Sequence, residues 1–135
     1  MGSRRVLLLL FTALVVFGPA SAVAQSAAVA WQATPASVLK AALRSAAAAQ
    51  ARYRAQNGAY APEVEQLALR LESGGRVDVL GAGPGGWQGR ATHFAQPGRS
   101  CVIFVGRLDG ADAPRTDGDR EMAGEAGIPL CDRMR

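Results

Sequence analysis

The chain has 135 residues and a formal net charge of +4, and 49% of its residues are apolar. That length allows one domain. With its two cysteines expected to be oxidised, the chain's one histidine lacks the Cys/His company a zinc site requires.

Ser3-Arg4-Arg5, an apolar run over residues 6–17, Gly18-Pro19 and the small-residue sequence Ala20-Ser21-Ala22-Val23-Ala24 predict a secretory signal peptide, residues 1–24. Cleavage is expected after Ala24, with Ala22 as the alternative. The run is too short to cross a membrane, which needs about 20 apolar residues. General secretion is favoured over the twin-arginine route, which SRRVLL also suggests. Removing residues 1–24 takes Arg4 and Arg5 away and leaves a domain over 25–135 with a net charge of +2. In residues 25–33 the bulky side chain is Trp31, which either packs back on the domain or contacts another subunit.

Residues 34–60 predict an amphipathic helix. At 100° per residue, Val38, Leu39, Ala42, Leu43, Ala46, Ala49 and Tyr53 share one side, and Lys40, Arg44, Arg52 and Arg54 lie opposite. Thr34 suits the N-cap, Pro35 the first turn, and Asn57-Gly58 the left-handed end. The alanine-rich stripe offers little area but allows a sheet to approach closely. A short second helix or turn is expected over 62–71, anchored by Leu67, Leu69 and Leu71 and ended by Gly74-Gly75.

Apolar residues then alternate. RVDVL over 76–80 and WQGRATHFA over 87–95 predict strands joined by the loop GAGPGG, and SCVIFV over 100–105 predicts the central strand after Pro97-Gly98. Short turns imply an antiparallel meander with one face under the helix and the other in water. From Gly106 onward the chain is rich in Gly, Asp and Pro, a long irregular loop in which Ile128-Pro129-Leu130 is the stretch able to pack. Cys101 and Cys131 predict one intramolecular disulfide in an oxidising compartment, the rival being free or intermolecular thiols.

Candidate sites are few. Gly81, Gly83 and Gly86 fit G-x-G-x-x-G, but Pro84 interrupts the pattern and a strand follows where a nucleotide site needs a helix. His93 has Thr92 and Phe94 beside it and is read as a structural or surface histidine; no Ser-His-Asp arrangement follows from order or spacing. Asp117 and Asp119 are weak calcium candidates in an acidic terminal loop whose spacing is not that of an EF-hand. Arginines including Arg90, together with Trp87 as a stacking platform, would make a nucleic-acid surface if clustered, but the net charge of +2 favours a solvated face. Trp31, Trp87 and Arg90 are the candidate partner contacts.

AQARYRAQNGAYA after an alanine-rich helix, then GGRVDVLGAGPGGWQGRATH, GRSCVIFVG and a loop closing with GIPLCD together resemble the globular domains of type IV pilin-like and pseudopilin proteins. The resemblance covers roughly residues 35–132. It implies a long N-terminal helix on a three- to four-stranded antiparallel sheet, with a disulfide-bounded terminal loop at the sheet edge. Tyr53, Asn57, Gly58 and Tyr60 match the family's helix end and turn, Cys101 and Cys131 its disulfide, and Asp117 and Asp119 the place where some pseudopilins hold calcium. The front departs: Phe11-Thr12-Ala13-Leu14-Val15 follows Leu10 and lacks the family's glycine-ended leader and glutamate. The expectation is a non-enzymatic, exported pilin-like α+β protein, periplasmic or extracellular and without a cofactor. It would contact other pilin-like subunits or envelope proteins, and meet a membrane only if the N-terminal segment is retained. A glycan- or DNA-binding envelope module is the alternative.

Overall fold

A computed structural model describes residues 33–135; residues 1–24, where a signal peptide is expected, and Trp31 lie outside the described residues. Helix α1 spans Pro35–Asn57, followed by a single 3-10 turn at Val64–Leu67 and strands β1 Gly75–Ala82, β2 Gly86–His93, β3 Ser100–Gly106 and β4 Leu130–Cys131. The strands form one antiparallel sheet in the order β1-β2-β3-β4, so the fold is α+β with the helix packed across a four-stranded meander.

Both ends of α1 are set by the residues expected to set them. The Thr34 side chain accepts a hydrogen bond from the Ser37 amide at 3.2 Å, and Pro35 opens the first turn. Gly58 takes φ +80° and donates its N–H to the Arg54 carbonyl at 2.8 Å, a left-handed stop that costs glycine little. Leu39, Leu43, Ala46 and Ala49 are buried, and Val38, Ala42 and Tyr53 are half-buried on the same side. The buried Gln50 extends this stripe. Its amide donates to the Ala61 carbonyl at 2.8 Å and accepts the Ala61 N–H at 2.7 Å, tying the chain after the helix back to it.

Under the helix, Val77, Trp87, Ala91, Cys101 and Ile103 form the core with Leu39, Leu43 and Ala46. Small residues create the room for the one large ring. A Cβ at Gly89 would stand 2.5 Å from the Trp87 ring, so the indole lies across the glycine two residues along its own strand. A second cluster of Ala49, Ala61 and Leu67, with Tyr53, Leu69 and Val79 against it, seats residues 60–71 beside α1.

Of the short helix or turn expected over 62–71, the turn forms: it is the 3-10 turn at Val64–Leu67, and Ala68, left-handed at φ +48° directly after it, stops propagation. Two expectations are corrected. Ile128 does not pack; it is 53% exposed, while Pro129 is buried and Leu130 half-buried. The far face of the sheet is not left to water, because the terminal loop lies on it. Gln88 donates to the Asp112 carbonyl at 2.7 Å, the Ser100 hydroxyl accepts the Asp117 amide at 2.8 Å, and the Phe104 carbonyl accepts the Gly127 amide at 2.8 Å. Val102, on the same face as Ser100, is completely buried.

Candidate functional site

Cys101 and Cys131 face each other across β3 and β4 and are joined by a disulfide, their Cα atoms 3.9 Å apart. No free cysteine occurs among the described residues. A bond of this kind belongs to an oxidising compartment and constrains the 30-residue separation between its ends.

Beside the disulfide, Asp132 organises the terminal loop. Its register places it next to Ser100, with which it exchanges two bonds. The Asp132 N–H donates to the Ser100 carbonyl at 2.9 Å, and the Ser100 N–H donates to Asp132 Oδ2 at 2.8 Å. Oδ2 also accepts the Gly118 amide at 2.9 Å, and Oδ1 the Asp119 amide at 2.6 Å. Burial, at 3% exposure, raises the carboxyl pKa, but the Thr116 hydroxyl and these three backbone amides outweigh it and bring the value down to about 2. Sequence reasoning passed over Asp132. The available signal was its place after Cys131: a disulfide partner directly opposite Cys101 puts the next residue beside Ser100 in an antiparallel pair.

The calcium candidates are engaged with cations. Asp119 accepts the Arg133 amide and the Arg99 guanidinium, both at 2.8 Å, and meets Arg133 Nε at 3.5 Å. The Arg133 amide chiefly holds its carboxyl below the ordinary carboxylate range, against burial, with the Arg99 and Arg133 guanidiniums adding to it. Asp117 lies 3.4 Å from Arg90. Among the described residues no three His, Cys, Asp or Glu side chains converge on a point that suits a metal ion.

Of the candidate partner contacts, Trp87 is corrected: it is 1% exposed and forms the centre of the core, so its ring cannot stack on a ligand. Arg90 is half-buried on the far face, 3.3 Å from Asp78 and 3.4 Å from Asp117, where it links the edge strand to the loop. His93 is also locally committed. Its Nδ1 accepts the Ala95 amide at 3.1 Å, which leaves Nε2 to donate to the Ser73 carbonyl at 3.2 Å, and its ring stacks on Phe94. Arg44, Arg52 and Arg54 lie exposed on α1, while Arg76, Arg90, Arg99 and Arg133 pair with Asp78, Asp117 or Asp119 on the sheet and loop.

A concavity lies elsewhere. A groove of 670 Å³ runs between residues 62–71 and β1, bordered by five consecutive β1 residues, 75–79. Neighbouring residues of a strand point to opposite faces, so a groove touching all five follows the strand's edge. No helix among the described residues is long and apolar enough to cross a membrane. Compared with protein-family models and with curated proteins, the chain finds no match.

Proposed function

We propose that the chain is an exported, non-enzymatic pilin-like protein that makes protein–protein contacts, as a filament or secretion-apparatus subunit or as a soluble accessory in the periplasm or outside the cell. The observation that carries this reading is the order of parts: a capped helix of 23 residues crosses an antiparallel meander, and a disulfide from the third strand closes the terminal loop. The same order underlies the resemblance of the sequence to pilin-like domains. Much of α1's outward surface is alanine, at Ala41, Ala48, Ala51 and Ala55, which lets another backbone come close.

The alternative, a glycan- or DNA-binding envelope module, loses its aromatic platform because Trp87 is internal. N-terminal sequencing of exported protein and electron microscopy of the assembled fraction test the leading reading. A start at Gln25 is expected for the soluble accessory and a retained apolar segment for a filament subunit. A protein starting at Gln25 that never enters filaments refutes the subunit form. Salt-sensitive retention of the monomer on DNA or glycan resin, with no protein partner, refutes the proposal as a whole.

A further inference from the structure

We propose that the groove between β1 and residues 62–71 is a strand-addition site for an extended peptide of alternating apolar and basic residues, a function that goes beyond the reading above and does not depend on filament assembly. The first observation is the direction of the backbone groups. Phe94 donates to the Gly74 carbonyl at 3.2 Å, which fixes the ladder: Gly74, Arg76 and Asp78 bond to β2, and Gly75, Val77 and Val79 turn their N–H and C=O to the open edge. The Gly75 N–H meets the Glu72 carbonyl at 3.1 Å. Among the described residues, Val77 and Val79 have no backbone partner on that side. The Val77 side chain is anchored in the core, which fixes the strand in place. Outward N–H and C=O groups of an edge strand that border a groove are the groups an added strand pairs with.

The groove's shape sets the class of that partner. Its outer wall begins where the Tyr60 N–H bonds the Gly83 carbonyl at 3.0 Å, at one end of β1, and returns at Glu72 and Gly75 at the other. Between those ties the groove of 670 Å³ separates the wall from the strand. An inserted strand would send alternate side chains towards the helix side, where Val64, Leu69 and Leu71 offer an apolar lining. The intervening side chains would face the polar rim of Arg76 and Asp78. Asp78 is already held by Arg76 at 2.8 Å and by Arg90 at 3.3 Å, whereas the exposed Glu63 and Glu65 on the outer wall form no ion pair among the described residues, so the rim favours cationic side chains.

The test titrates the ¹⁵N-labelled, disulfide-bonded protein with the peptide acetyl-Val-Lys-Val-Lys-Val-Lys-Val-amide and with a control carrying Glu for Lys. The expected result is saturable movement of the Val77 and Val79 amide signals, with the lysine peptide binding at least about tenfold more tightly, the ratio of one charge-assisted hydrogen bond. Val79→Pro removes an outward N–H without breaking the ladder to β2 and should weaken binding by about the same factor. Should that variant unfold, the exposed pair Glu63→Lys and Glu65→Lys carries the test, with loss of the preference for the lysine peptide. Equal affinity for both peptides, absence of saturable binding, or shifts centred away from β1 overturn the proposal. Movement of the same signals on raising protein concentration alone would assign the groove to a second copy and overturn it too.

Discussion

Replacing Asp132 by Asn isolates the group that holds the terminal loop. The carboxylate accepts three backbone amides at 2.6–2.9 Å from a site 3% exposed. An amide side chain keeps one acceptor and turns an NH2 donor towards at least one of those N–H groups. Losing one or two charge-assisted bonds and setting donor against donor should cost about 2–4 kcal/mol at neutral pH. The same bonds lower the pKa: a fall from 3.8 to about 2 corresponds to about 2 kcal/mol. Because the folded value lies below the unfolded one, this stability is present above pH 3.8 and is lost as the pH falls towards 2. Urea denaturation with the disulfide intact should therefore show a lower midpoint for the variant at pH 7, with the slope unchanged, and a gap between the two proteins that narrows across that acid window. A midpoint at pH 7 indistinguishable from the parent protein, or a gap that stays constant down to pH 2, would refute the account of Asp132.

Two further perturbations probe the core and the staple. Gly89→Ala puts a methyl 2.5 Å from the Trp87 ring, and overpacking of this kind should destabilise by about 1–3 kcal/mol, with a red-shifted tryptophan emission if the indole is displaced; an unchanged melting temperature would show that the ring has room to move. Replacing Cys101 and Cys131 together by Ser releases a loop of 30 residues and should cost about 3–4 kcal/mol, read as a lower denaturation midpoint and faster proteolysis within residues 107–129; cleavage appearing first in α1 would contradict the loop's dependence on the bond.

The helix was legible because its signals are local. Thr34, Pro35 and Gly58 act within one turn, and Leu39, Leu43 and Ala46 repeat at the spacing of the structure they form. The strands were legible for the same reason, through Val77 and Val79 and through the apolar run of β3; glycines carry each a residue or two beyond its expected bounds at one end or both, while β2 stops at His93, two residues short of the expected end, where Phe94 and Ala95 turn. Trp87 was placed on a strand but named as a partner contact because strand periodicity alone does not say which face its ring takes. Its burial is created by Gly89 on one side and by Ile103, opposite Gly89 on the next strand, on the other.

Gln50 and Asp132 were invisible for a different reason. Each is polar by composition, and each becomes structural only by reaching a backbone far along the chain, Ala61 in one case and Ser100, Gly118 and Asp119 in the other. The amino-acid sequence alone determined α1 and the antiparallel order of β1, β2 and β3, because periodicity, capping and short turns act over a few residues, and with two cysteines in the chain it allowed one intramolecular sulfur pairing; β4, two residues long, was not legible. Only the tertiary structure decided that the acidic loop covers the far face of the sheet, that Trp87 is core, and that the β1 edge lies open beside a groove. Those outcomes depend on which backbone groups remain unpaired after distant segments have met, and that is settled by the packing of the whole chain.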